Sequence, residues 1–146
     1  MSSALLRRAI VAGIIGGILI DTFLIVVGHQ KIPGLWQFVA STLIGPVAFT
    51  STSYAFLGLL MHFAISIVWA VLYAYVYQAM NQLSNWILGT IAWGIIVDVV
   101  MQGVLAARGV APFTLSGALA GLVPHVIFFA LPVAYYLSRT PASARR

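Results

Sequence analysis

Sulfur and charge are both scarce in this chain of 146 residues. It has no cysteine, which excludes disulfide bonds, thiolate metal sites and thiol redox chemistry. Only 6% of its residues are charged and 62% are hydrophobic, whereas roughly a quarter of the residues of a soluble domain are charged. Acidic residues are scarcest, because Asp21 and Asp98 are the only two. A chain of this composition has too few polar side chains to form the surface of a water-soluble domain.

Four long apolar runs account for most of the sequence. They cover residues 9–28, 54–77, 86–107 and 115–137, and each reaches the roughly 20 residues that a helix needs to cross a bilayer. Backbone polar groups in lipid are satisfied within a helix. The strict alternation that a membrane β-barrel would require is absent. We therefore predict that residues 1–146 form a single integral membrane domain, an all-α four-transmembrane-helix bundle.

A shorter apolar piece, "LWQFVASTLI" at residues 35–44, lies between the first two runs. Pro33 and Gly34 precede it, and Gly45 and Pro46 follow it. It is too short to span a bilayer, and its Trp36 is typical of a membrane interface. This pattern predicts a surface-lying or re-entrant helix, which either covers the outer end of the bundle as a lid or only packs on it.

The positions of the basic residues argue against nucleic-acid binding, although the net charge is +5. Two basic residues, Lys31 and Arg108, lie in the first and third loops, whereas the others flank the apolar runs at the two ends of the chain: Arg7, Arg8, Arg139, Arg145 and Arg146. By the positive-inside rule both ends are then cytoplasmic. We expect the basic ends to contact anionic lipid headgroups, and the partner to be the bilayer.

Two short motifs each occur twice. "GILID" at 17–21 returns as "GIIVD" at 94–98, and "GLLMH" at 58–62 returns as "GLVPH" at 121–125. The first pair lies in runs one and three, and the second in runs two and four. The chain therefore looks like two related helical hairpins, and such an internal repeat predicts a pseudo-twofold axis along the membrane normal.

The four polar residues of these motifs are predicted to share one depth. Asp21, His62, Asp98 and His125 lie seven to ten residues from the outer ends of their runs. At 1.5 Å per residue this is about 10–15 Å below the outer boundary. Ionisable groups at such a depth are costly and often mark function, so these four are the candidate site.

Glycines precede the four polar residues by one helical turn or two. Residues four apart lie on one helix face, and small residues at this spacing let membrane helices approach closely. We therefore interpret these glycines as notches for helix packing, which turn the polar residues inward: Gly13, Gly17, Gly58, Gly94, Gly117 and Gly121.

Three interpretations of the Asp/His layer remain open. It is a structural hydrogen-bond network, or a proton-linked site in which coupled Asp and His residues titrate over a wide pH range, or a metal site. Two carboxylates and two imidazoles suit a divalent metal such as Zn, Fe or Mn. A variant is haem b held by His62 and His125 for electron transfer, which leaves the aspartates unexplained.

The sequence has no nucleophile–base pair, phosphate-binding glycine loop or HExxH motif, so we do not expect an enzyme unless the Asp/His layer is itself catalytic. The alternative from another class is a structural or assembly subunit. Its apolar outer surface would then pack against a larger membrane complex or a homo-oligomer.

Two further patterns concern prolines and aromatic residues. Pro124 and Pro132 are predicted to bend the fourth helix. Most aromatic residues near the inner ends are interpreted as an interfacial belt: Tyr73, Tyr75, Tyr77, Trp86, Tyr135 and Tyr136.

The last ninety residues or so resemble a known family. The run "HFAISIVWAVLYAYVY" at 62–77, the glycine-containing third run and the closing "GLVPHVIFF" resemble the YagU-like family of small bacterial inner-membrane proteins. The founding member of that family is associated with resistance to acid. The resemblance implies a multi-pass protein of the bacterial inner (plasma) membrane, and it directs attention to His62 and His125.

Overall fold

The computed structural model describes residues 1–82, 84–141 and 143, and every regular element in this part of the chain is helical. The elements are α1 (Ser3–Val26), α2 (Ile32–Ile44) followed by a 3₁₀ helix (Gly45–Phe49), α3 (Tyr54–Ala79), α4 (Trp86–Ala107), α5 (Leu115–Leu122), a π-helical segment (Val123–Ala130) and α6 (Leu131–Ser138). Arg145 and Arg146, which the sequence placed at the cytoplasmic end, lie outside the described residues.

In the described part of the chain, five helical stretches are long and apolar enough to cross a membrane: Ser3–Val26, Ile32–Phe49, Tyr54–Ala79, Trp86–Ala107 and Leu115–Ser138. Four of them coincide with the apolar runs, but the first begins six residues earlier than its run, which starts at residue 9. The Ser2 hydroxyl caps it by accepting from the Leu5 amide at 3.2 Å. The additional stretch, Ile32–Phe49, has the lowest mean hydropathy, 1.4.

The long helices pack as antiparallel neighbours. A Cβ added at Gly13 of α1 would lie 2.6 Å from the Cα of Ile67 on α3, and one added at Gly94 of α4 would lie 2.6 Å from the Cα of Val126. Arg8, near the start of α1, donates to the Tyr136 carbonyl of α6 at 2.9 Å and to the Thr140 hydroxyl at 3.0 Å. The beginning of α1 and the end of α6 therefore lie side by side.

Small residues fill the interior of the bundle and large apolar residues cover its outside. Fully buried alanines line the contacts of α1, α3 and α6: Ala9, Ala12, Ala70, Ala74, Ala130 and Ala134. In contrast Phe56, Leu60 and Ile91 are 67%, 55% and 53% exposed. Lipid provides no hydrophobic drive for helix association, so membrane helices pack through small residues and leave large ones for the acyl chains.

The stretch Ile32–Phe49 folds back on itself. The Gln37 amide donates to the carbonyls of Ala48 and Ser51 at 3.1 and 2.9 Å, which ties the middle of α2 to the end of the 3₁₀ helix and to the loop that follows it. Gly45 adopts a φ of 69° at the bend, a conformation that other residues rarely adopt. Because α1 and α3 are antiparallel, this hairpin leaves and rejoins the bundle at one end.

The aromatic belt prediction is wrong for two tyrosines. Tyr73 is fully buried and Tyr77 is only 6% exposed. Their rings stack at 4.3 Å, and Trp93 of α4 meets both edge-on. They form the inner core where α3 meets α4, whereas Tyr75 and Tyr135 are 60% and 45% exposed.

The fifth stretch, Leu115–Ser138, contains a π-helical segment, Val123–Ala130, near the two prolines that predicted a bend. Pro124 and Pro132 lack the amide hydrogen that an α-helix would bond to the carbonyl four residues earlier. The chain accommodates this by widening its turns, a feature that is frequent at functional sites. His125 lies on the widened segment.

The contact at Gly13 predicts the effect of one added methyl group. Gly13→Ala must force α1 away from the α3 backbone, so we expect a destabilisation of about 1–3 kcal/mol. Thermal unfolding of the detergent-solubilised protein, followed by circular dichroism, measures it. Gly103→Ala on α4 is the matched control, because a Cβ there meets nothing within 4 Å. Equal midpoints for the two variants would contradict the predicted packing.

Candidate functional site

The first half of the candidate site joins α1 to α3. The Nε2 of His62 lies 3.0 Å from the carbonyl oxygen of Gly17 and 3.4 Å from the Oδ1 of Asp21. The indole of Trp36, on α2, donates to the other carboxylate oxygen of Asp21 at 3.2 Å. Asp21 is 8% exposed, so three helices meet at one buried carboxylate.

The second half joins α4 to the π-helical segment. The Nδ1 of His125 lies 3.1 Å from the Oδ1 of Asp98 and 2.8 Å from the carbonyl oxygen of Gly121. Asp98 is completely buried. Each half thus consists of a carboxylate, an imidazole and a glycine carbonyl. The halves differ in the ring nitrogen that makes the contacts, which is Nε2 in His62 and Nδ1 in His125. They also differ in the glycine, which lies on the neighbouring helix in the first half and one turn before the histidine in the second.

The carbonyl contacts identify the nitrogen that carries hydrogen on each ring. A carbonyl oxygen can only accept, so the His62 Nε2 and the His125 Nδ1 must both be donors. In a neutral imidazole the other nitrogen is then the acceptor, and it is the atom that takes up a proton. Each carboxylate therefore lies beside a group that can exist as either a neutral ring or a cation.

One oxygen of each carboxylate is buried and has no hydrogen-bond donor within the described part of the chain. These are the Oδ1 of Asp21 and the Oδ2 of Asp98, called here the open oxygens. The Asp21 oxygen lies near the His62 ring without hydrogen-bond geometry. A buried acceptor without a donor costs about 1–3 kcal/mol, and more where the group is charged. Both carboxylates can therefore accept one more donor.

The predicted glycine notches lie at helix contacts, and two of them hold the polar groups themselves. A Cβ at Gly121 would collide with the Oδ1 of Asp98, and one at Gly17 would lie 3.3 Å from the Nε2 of His62. At these positions the glycine makes room for the polar group of the facing helix. The other four contact Ile67 (Gly13), Trp36 (Gly58), Val126 (Gly94), and Thr114 with Gln102 (Gly117).

Three of the four predicted residues line one cavity. Asp21, His62 and His125 face a chamber of about 300 Å³ in the half of the bundle next to α2, together with Gln102 of α4. Asp98 lies behind His125, outside the wall. A second cavity of about 60 Å³ adjoins the chamber and shares His62 and His125 with it. The remaining walls of both cavities are almost entirely apolar.

Helix α2 forms the roof of the chamber through Leu35, Phe38 and Val39. Its backbone lies against α3, since a Cβ at Gly58 would collide with the Trp36 carbonyl oxygen. Trp69 lines the smaller cavity, and its ring meets that of Trp93 edge-on at 5.6 Å, which joins α3 to α4. The chamber thus has a roof that bonds to Asp21.

Sequence reasoning missed two polar contacts of the site. Trp36 was interpreted as an interfacial residue, and only the folded chain brings its indole to Asp21. Gln102 donates to the Gly117 carbonyl at 3.3 Å. A signal for Gln102 was present, because it follows Asp98 by four residues and therefore lies on the same helix face.

The geometry gives no support to a metal ion bound by all four side chains. Among the described residues, no three histidine, aspartate, glutamate or cysteine side chains lie close enough together to hold one metal. The arrangement is instead two separate carboxylate–imidazole pairs. Such pairs can store protons and can present a carboxylate to a ligand in the chamber.

Comparisons with known proteins add no name to this arrangement. The chain matches no protein-family model, no curated protein and no solved structure. The resemblance to the YagU-like family, and the two-hairpin repeat, stay predictions from the sequence.

The Trp36–Asp21 bond predicts how firmly the roof is held. Trp36→Phe removes the indole donor, and a hydrogen bond to a charged group contributes about 1.5–3 kcal/mol. We expect amide hydrogen exchange in α2 to accelerate roughly tenfold or more. Trp86→Phe is the control, because Trp86 packs against Tyr135 at the other end of the bundle. Unchanged exchange in Trp36→Phe would show that this bond does not hold the roof.

Proposed function

We propose that this is a bacterial inner-membrane protein whose two Asp–His pairs take up and release protons at the chamber. The observation that carries the proposal is the geometry of each pair: a buried carboxylate with an open oxygen, in contact with an imidazole whose hydrogen is directed to a backbone carbonyl. A proton has two neighbouring acceptors in each pair, the carboxylate and the second ring nitrogen. Purely structural hydrogen bonds would not require an open oxygen.

The membrane arrangement in this proposal has four spans and one re-entrant hairpin. Helix α2 has 13 residues and is about 20 Å long, whereas a span needs about 30 Å. The stretch that contains it returns to the end of the bundle from which it left. Arg7, Arg8 and Arg139 lie at the opposite end, which the positive-inside rule makes cytoplasmic. In this arrangement the chamber lies nearer the outer face, beneath α2.

The resemblance to the YagU-like family adds a physiological setting. Protons would reach the chamber from the outer side, where the pH falls during acid stress. Each pair contains a carboxylate and an imidazole, and both groups can bind a proton, so the two pairs together have room for up to four protons. We propose on this basis that the protein acts in acid tolerance.

Infrared difference spectroscopy tests proton uptake directly. Between pH 8 and pH 5, protein in lipid nanodiscs is expected to gain the carbonyl stretch of protonated carboxyl groups. Asp21 and Asp98 are the only acidic side chains, so the band has few sources. Asp21→Asn and Asp98→Asn should each remove part of it, because each removes one of the two groups that protonate.

The double variant Asp21→Asn/Asp98→Asn is the control, since it leaves only the terminal carboxyl group. The absence of a carboxyl band in the wild type, or the same band in the double variant, would contradict the proposal. The pairs would then be structural, and a role in assembly would be favoured.

Single-cysteine labelling tests the membrane arrangement, because the natural chain has no cysteine. Lys31 and Thr52 precede and follow the hairpin and are exposed, as is Arg139. We expect Lys31→Cys and Thr52→Cys both to react with a membrane-impermeant thiol reagent added outside, and Arg139→Cys to react only after the membrane is opened. Labelling of Lys31→Cys and Thr52→Cys from opposite sides would show that Ile32–Phe49 is a fifth span.

A further inference from the structure

The side chains that line the chamber favour a positively charged ligand. Among the described residues that line it and the adjoining cavity, none is a lysine or an arginine. Its fixed ionisable groups are Asp21 with His62 on one side and His125, backed by Asp98, on the other. While the imidazoles are neutral, the chamber has negative charge that no basic side chain compensates. An anion would be repelled there, whereas a cation would be attracted.

The hydrogen bonds around Asp21 specify the ligand further. Trp36 already donates to one carboxylate oxygen at 3.2 Å, and the His62 hydrogen is directed to the Gly17 carbonyl. The remaining carboxylate oxygen, the open oxygen of Asp21, has no donor; this atom is itself buried, although the residue lines the chamber. A ligand in the chamber that brings both a positive charge and an N–H group compensates the Asp21 carboxylate, whereas a molecule with acceptors only does not.

The apolar walls of the chamber indicate the size and character of the rest of the ligand. Leu24, Leu35, Phe38 and Met101 are among the apolar side chains around the polar centre. A volume of about 300 Å³ is at the small end of the usual range for ligand pockets. The Phe38 ring also gives an aromatic surface of the kind to which ammonium groups are attracted. A small hydrocarbon chain or a single ring fills such a space.

We propose that the chamber binds a small lipophilic ammonium ion, a protonated primary or secondary amine with an apolar body, at the Asp21 carboxylate. This inference rests on the proposed function, because proton and amine compete for the same group. When Asp21 is protonated, the ammonium ion binds as the carboxyl group releases its proton to water, so one cation enters for each proton that leaves. The exchange would couple amine binding to the proton gradient.

Calorimetric titration of the protein in nanodiscs with phenethylammonium chloride tests this proposal, and 2-phenylethanol is the uncharged control. An alkylammonium ion has a pKa of about 10 and stays charged throughout the titration. We expect saturable binding of the ammonium ion that weakens as the pH falls from 8 to 5, and at least about tenfold weaker binding of the alcohol. Equal binding of the two compounds, or binding independent of pH, would overturn the proposal.

Three aspartate variants make the test specific. Asp21→Asn should weaken ammonium binding about tenfold or more, whereas Asp98→Asn should weaken it less, because the Asp98 carboxylate lies outside the chamber wall and acts only through its charge. Asp21→Glu restores the carboxylate and should recover most of the binding, which separates loss of charge from loss of fold. An Asp21→Asn variant that binds as well as the wild type, or an Asp98→Asn variant that loses as much, would overturn the assignment of the site.

The infrared measurement separates this inference from the proposed function. If the carboxyl band appears but no ammonium ion binds, the inference fails and proton uptake stands. If the band is absent, the proposed function fails, and the inference fails with it.

Discussion

The structure depends on one constraint, the cost of placing a carboxylate among apolar helices. An isolated carboxylate in a low-dielectric interior is so unfavourable that it acquires a partner or a proton. Here each carboxylate is placed against the imidazole of the helix that packs beside it, and glycine lets the two backbones come close enough. At Gly121 the carboxylate of Asp98 occupies the very space that a Cβ would fill. The contacts that pair the helices in this fold are therefore also the contacts that give each carboxylate its imidazole partner.

The sequence predicted the parts of the structure that depend on local pattern. The apolar runs predicted the long helices, and the spacing of glycine and polar residues by four predicted which residues share a face. The contacts of Trp36, and the burial of Tyr73 and Tyr77, depend on how distant helices pack. A tyrosine near a helix end looks alike in sequence whether it faces lipid or α4. In the structure, Gly89 of α4 comes so close to Tyr73 that a Cβ there would collide with the Tyr73 hydroxyl, which shows that this ring faces α4.

The two Asp–His pairs show how one motif can acquire two environments. Their glycine, carboxylate and imidazole components correspond, yet His62 sits on a regular α-helix and His125 on a widened one between two prolines. Asp21 reaches the chamber and receives the Trp36 indole, whereas Asp98 is sealed behind its histidine and fully buried. The first pair therefore reaches the chamber with both its carboxylate and its imidazole, whereas the second reaches it only with its imidazole. In the sequence the two pairs look equivalent, because glycine precedes the aspartate and the histidine by four residues in both.

The position of α2 connects the roof of the chamber to the charge within it. Trp36 donates its hydrogen to an Asp21 oxygen, and a hydrogen bond to an ionised carboxylate is stronger than one to a neutral carboxyl group. Protonation of Asp21 therefore weakens the contact that holds the roof. By thermodynamic linkage the reverse also holds, so a closed roof favours the ionised carboxylate and an open roof favours the proton. At Gly58 the Trp36 backbone lies directly against α3, so the same contact that packs α2 on the bundle positions the indole beside Asp21.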